Sequence, residues 1–66
     1  MKIQLNGKCR ELRDGETVCG LLCRLDLAGR RVAVEVNGTV VPKSEHTRHQ
    51  LSEGDRVELI GAIGGG

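Results

Sequence analysis

Two Asn-Gly pairs, Asn6-Gly7 and Asn37-Gly38, constrain this chain more than any other feature. A two-residue hairpin loop needs positive φ at both positions, and Asn followed by Gly meets that need at the lowest steric cost. The segment before the first pair, Met1-Lys2-Ile3-Gln4-Leu5, alternates apolar and polar, the period of a half-buried strand. Lys8 to Leu12 returns as its partner, with Cys9 and Leu12 alternating imperfectly. Before the second pair stands Val32-Ala33-Val34-Glu35-Val36, a β-branched run that reads as a strand. Thr39-Val40-Val41 pairs back, and Pro42 ends it.

The stretch between the hairpins has the other period. Arg13-Asp14-Gly15 is a turn. Thr17 predicts a helix N-cap, with Glu16 beside it to favour the positive helix end. Val18, Leu21, Leu22 and Leu25 then recur at i, i+3, i+4 and i+7, one apolar stripe of an amphipathic helix. Gly20 inside it costs about 1 kcal/mol relative to Ala, and Ala28-Gly29 offers a stop. Lys43 to Gln50 is polar, holds both histidines, and fits a loop or short helical turn anchored by Leu51. After a turn at Ser52-Glu53-Gly54-Asp55, Arg56-Val57-Glu58-Leu59-Ile60 is the last strand, with Val57 and Leu59 on one face. Two hairpins flanking one helix, with a final strand returning beside the first, make an α+β domain in which the helix covers one face of a mixed sheet.

Composition excludes several functions. A chain of 66 residues has room for one core. There is no aromatic residue, so bases cannot stack on Phe, Tyr or Trp, and a net charge of +1 lacks the basic footprint of nucleic-acid binding. No apolar run is long enough to span a bilayer, and no charged-then-apolar leader opens the chain. A core of Val, Leu, Ile and Ala this small cannot also enclose a roomy ligand cavity, so function is expected on the surface or at an end. The three cysteines, Cys9, Cys19 and Cys23, are an odd number, which fits free thiols in a reducing cytoplasm.

Two constellations could carry chemistry. Cys9, Cys19, Cys23, His46 and His49 could supply four zinc ligands. Against that, Cys19 and Cys23 lack the usual two-residue spacing and lie beside the apolar stripe, and the histidines lie on a polar segment. Free thiols packed at the helix edge are the simpler reading, and Arg10, Arg13, Arg24, Arg30 and Arg31 read as solvated surface. The second constellation is the run Gly64-Gly65-Gly66. Without side chains it can pass through a narrow channel, reaching at most about 3.5 Å per residue. One reading is a carboxylate delivered into a partner's active site; the other is a frayed end without chemistry. Glu58 and Ile60 point to the open face of the sheet, where Ile60 and Ile63 could form a small apolar contact patch.

The chain as a whole resembles the ThiS family, the sulfur carrier proteins of thiamin biosynthesis. The resemblance rests on Leu5-Asn6-Gly7, on Asp14-Gly15-Glu16-Thr17-Val18 leading into Leu21-Leu22, and on Val32-Ala33-Val34. It continues through Val36-Asn37-Gly38, Val41-Pro42, Leu51, Gly54-Asp55 and Val57-Glu58 to Gly65-Gly66. It implies a ubiquitin-like β-grasp fold of four to five strands on one helix over 1–61, followed by a flexible glycine tail over 62–66. It further implies that an E1-like, ThiF-type adenylyltransferase activates the carboxylate of Gly66 with ATP, and that sulfur from a cysteine desulfurase then replaces AMP. The resulting thiocarboxylate would donate its sulfur to a ThiG-type thiazole synthase. On this resemblance Gly66 holds the sulfur, and Gly65, Gly64, Ile63 and Ala62 are read by the partner. From the alternation of the last strand, Ile60 and Glu58 are the expected partner surface; the other reading puts Ile60 at a twist or bulge beside Gly61, partly in the core. The protein would be a monomeric cytoplasmic co-substrate and no enzyme, with no metal or cofactor of its own. The departures are Ile63 before the glycines and a third glycine where two define the motif. Sulfur carriage for molybdopterin, tRNA thiolation or cysteine synthesis, and a zinc-stabilised or ubiquitin-like interaction module, are the competing readings.

Overall fold

A computed structural model describes residues 1–61. Five strands and one helix follow in the order β1 (Lys2–Leu5), β2 (Lys8–Glu11), α1 (Val18–Arg24), β3 (Val32–Val36), β4 (Thr39–Val41) and β5 (Arg56–Gly61), with a 3₁₀ turn at Lys43–Glu45. They form one sheet in the order β2-β1-β5-β3-β4. The two hairpins are antiparallel, and β5 enters between them, parallel to β1 and antiparallel to β3. This is the ubiquitin-like β-grasp, a mixed sheet wrapped on one helix.

Both Asn-Gly loops adopt the required backbone, with φ of 49° and 83° at Asn6-Gly7 and 54° and 85° at Asn37-Gly38. Leu5 then faces Lys8, and Val36 faces Thr39, the registers a two-residue loop dictates. Strand alternation sends Ile3, Val34, Val36, Val41, Val57 and Leu59 inward against Val18, Leu21 and Leu22 of α1. Thr17 caps the helix as its Oγ1 accepts from the Gly20 amide at 3.0 Å.

Four local expectations change. The helix stops at Arg24, several residues before Ala28-Gly29. Asp26 takes φ 61°, while the Leu27 amide donates to the Leu22 carbonyl and the Asp26 amide to Cys23. That is a Schellman ending with Asp in the position glycine usually fills. It is worth its strain because it turns Leu27 back into the core, while Leu25 at the cap stays only half-buried. Glu16 is not a surface companion of the helix end: its side chain is 2% exposed and held by two arginines. Arg13 and Arg24 are therefore its partners and more than solvated surface. His46 is 8% exposed instead of lying on a polar rim, and its Nε2–H donates to the Val41 carbonyl at 3.1 Å. The three thiols are free, but they are not all packed at the helix edge: Cys19 is half-buried, while Cys9 and Cys23 are exposed.

Candidate functional site

The last strand organises the site because it touches both hairpins. Each hairpin turn holds it with a side chain. The Oδ1 of Asn6 accepts from the Leu59 amide at 2.9 Å, and the Oδ1 of Asn37 accepts from the Arg56 amide at 2.9 Å. The Nδ2 of Asn37 donates to Asp55 at 3.0 Å. Two residues chosen for turn geometry thus also fix the strand that leads to the C-terminal segment.

That strand ends at Gly61, which has φ 132°. A Cβ at Gly61 would stand 2.6 Å from the Arg31 carbonyl oxygen, so only glycine lets β5 close against the start of β3. The inner face of β5 is buried by Val57 and Leu59, and the outer face presents Arg56, Glu58 and Ile60. Register places Ile60 beside Ala33, Glu58 beside Glu35, and Glu35 beside Val40. Val40 at 58% and Ile60 at 49% exposed leave an apolar patch flanking the two carboxylates.

The sequence reading places Ile60 and Glu58 on this open face, and the structure does the same. Glu35, Ala33 and Val40 were missed as part of it. Alternation in Thr39-Val40-Val41, with Val41 inward, carried the signal for Val40; the pairing of Glu35 with Glu58 depends on register and has no local signature. Ala62, Ile63, Gly64, Gly65 and Gly66, with the proposed glycine tail, lie outside the described residues.

The other candidates do not converge. Among the described residues, no three His, Cys, Asp or Glu side chains gather where they could hold one metal ion, so Cys9, Cys19, Cys23, His46 and His49 do not form a zinc site there. Clefts of about 180, 340 and 290 Å³ lie at or below the low end of the range for small-molecule sites. No described helix is long and apolar enough to cross a membrane.

The pKa of Glu16 is displaced from its ordinary value. The hydrogen bond from Arg24 Nε at 2.6 Å is the main cause that holds its carboxyl below the usual range. Burial opposes this, and Arg13 at 3.3 Å adds to it. Its place between the β2–α1 turn and the helix makes it structural.

A short mixed sheet with one helix, an open outer face and a glycine-rich segment after its central strand defines a β-grasp carrier-type domain. The chain belongs to the ThiS family, whose family model matches residues 3–66. It is 32% identical to the sulfur carrier protein ThiS of Escherichia coli strain K12 over 66 residues, all of both chains. It superposes on the crystal structure of the thiamine biosynthesis protein ThiS from Geobacter metallireducens with a TM-score of 0.84 at 32% identity, covering both chains fully. It is also 41% identical over 66 residues to a thiazole synthase of Paramagnetospirillum magneticum, where the match takes in the whole chain but only 20% of that protein's length.

Proposed function

We propose that this chain carries sulfur as a thiocarboxylate on Gly66 for formation of the thiazole ring of thiamin. The observation that carries this reading is the family match through residue 66, together with a β-grasp whose central strand stops five residues earlier. Fully extended, five residues span at most about 18 Å. That length can bring a carboxylate from the end of the central strand into a partner's active site while the domain stays outside. Glycines at the end present no side chain to a narrow channel.

The chemistry needs an activated acyl group. A carboxylate is a poor acyl donor. Attack of the Gly66 carboxylate on the α-phosphorus of ATP gives an acyl-adenylate and pyrophosphate, and AMP is a good leaving group. The terminal sulfur of a persulfide derived from cysteine then displaces AMP, and a second thiol cleaves the resulting acyl disulfide, leaving the thiocarboxylate on Gly66 and a disulfide on the donor. The net change at Gly66 is one oxygen exchanged for one sulfur. Adenylation belongs to an E1-like adenylyltransferase and sulfur delivery to a desulfurase. The carrier supplies no general base, metal or cofactor, and it acts as a co-substrate in the cytoplasm, where ATP and cysteine-derived sulfur are at hand.

Thiazole synthase is the proposed acceptor. A segment like this chain occupies 20% of two proteins named thiazole synthase, at 41% and 42% identity, so carrier-like and synthase sequences occur there within one polypeptide. Ala62, Ile63, Gly64 and Gly65 are read by the partner enzymes, and Ile60 and Glu58 belong to the surface that docks them.

Intact mass after incubation with ATP, an adenylyltransferase and a cysteine-derived sulfur source tests the proposal. The expected result is a shift equal to replacement of one oxygen by sulfur, mapped to the peptide ending in Gly66. No shift, with an adenylyltransferase proven active on another carrier, would overturn it.

A further inference from the structure

The outer face of the sheet contains a pairing that the fold has no use for. In an antiparallel pair, residues directly opposite have Cβ atoms about 5 Å apart, and like charges there are destabilising. Glu35 of β3 stands directly opposite Glu58 of β5. At the far edge of the same face, Lys2 stands opposite Glu11, the favourable combination. Among the described residues neither Glu35 nor Glu58 takes part in an ion pair. The nearest cation along the strand is Arg56, two residues before Glu58 on the same face.

Core packing does not explain the pair, because Val34, Val57 and Leu59 fill the opposite face. Glu is also depleted in strands. A glutamine or lysine at either position would relieve the repulsion without touching the interior. The surroundings are equally specific. Val40 flanks Glu35 in the same row, and Ile60 beside Ala33 forms the next row. The two carboxylates therefore sit between the two large hydrophobic side chains that the described surface leaves exposed. One Val and one Ile cover far less than the roughly 800 Å² per partner of a stable interface, so the apolar contact cannot by itself hold a partner.

We propose that this face docks a basic surface of the adenylyltransferase, with one Arg or Lys side chain of that enzyme seated between Glu35 and Glu58 and apolar contacts on Val40 and Ile60. The inference rests on the carrier reading above. An enzyme that binds the polyphosphate of ATP presents positive potential around its active site, and a carrier face with two unneutralised carboxylates is steered toward it. The five N–H donors of an Arg guanidinium are enough to hydrogen-bond both carboxylates at once. Seating a cation there converts a repulsive pair into an attractive triad, so the cost to the free domain becomes orientation in the complex.

The test uses the full chain with a ThiF-type adenylyltransferase from the same organism. Melting, calorimetric affinity at two salt concentrations and the mass shift at Gly66 are compared for wild type, Glu35→Gln, Glu58→Gln and the double variant. The variants should melt at or above wild type. The double variant should bind about tenfold more weakly, and its affinity should depend less on salt. A structural role would instead lower the melting temperature, and that result overturns the proposal. If wild type gains sulfur normally while the variants bind as tightly as it does, the acidic pair is not the docking feature and the carrier reading stands. If wild type neither binds nor gains sulfur, both readings fall. If the chain alone dimerises in sedimentation and Glu58→Gln abolishes the dimer, the face serves a second copy and the proposal is wrong.

Discussion

At the scale of single residues, Glu16 carries the tightest constraint. Its carboxylate is buried between the β2–α1 turn and the helix, with Arg24 and Arg13 supplying the charge that makes burial tolerable. Because its folded pKa lies below the ordinary value of 4.5, the clamp contributes fully above the carboxylate range. It fades as pH falls below that value and through the folded pKa. Melting of the wild type should therefore decline on acidification from neutral pH toward about pH 3, and Glu16→Gln should lower stability at neutral pH and flatten the decline. Equal acid sensitivity in wild type and variant would count against the clamp. Gly20 is bound to the same group. A Cβ there would stand 2.5 Å from Glu16 Oε1, so the glycine that weakens the helix is the one that admits the carboxylate. Gly20→Ala should destabilise by about 1–3 kcal/mol, despite the propensity gain of about 1 kcal/mol. In a Glu16→Ala background the same change should become stabilising, and a double-mutant cycle on chemical denaturation would read that coupling directly.

At the scale of elements, the hairpin turns and the helix have different vulnerabilities. Asn6→Gly keeps a residue that accepts φ 49° and removes the side-chain acceptor for the Leu59 amide. It should cost about 1–3 kcal/mol by urea unfolding, the price of leaving a partly buried donor unmet. A neutral result would show that the pinning of β5 is incidental. In the helix, Leu21 is fully buried, and Leu21→Ala should cost about 2–5 kcal/mol, read by the same unfolding assay. That is a large share of the stability of so small a domain. The helix has only seven residues, Val18–Arg24, too few to persist without tertiary packing. Its lifetime therefore depends on the sheet it covers.

At the scale of the whole molecule, fold and chemistry separate. The sheet closes when β5 inserts between β1 and β3, which joins residues far apart in sequence. The segment beyond Gly61 carries the proposed reaction. Deleting Gly65 and Gly66 should leave the melting temperature unchanged and abolish the oxygen-for-sulfur mass shift. A truncated chain that still gained sulfur would move the chemistry elsewhere. Gly61→Ala should behave differently, since a Cβ would strike the Arg31 carbonyl and loosen the end of the β3–β5 pairing.

Local chemistry was enough to read both hairpins, the helix start and the inward faces of the strands. Asn-Gly, Thr17 and the period of Val18, Leu21 and Leu22 act through backbone geometry within a few residues. The same order of motifs also pointed to the family. Tertiary structure alone decided what depends on partners distant in the chain. The Schellman ending at Asp26 was invisible because its reward is the burial of Leu27 in a core that the rest of the chain provides. Glu16 looked like a surface charge because Arg24 stands eight residues on, at the other end of the helix, and reaches back to it only once the helix has formed. Glu35 and Glu58 are 23 positions apart in the numbering, and nothing near either residue shows that they meet. Their juxtaposition follows from the register of β5 against β3, which the buried faces of both strands fix together.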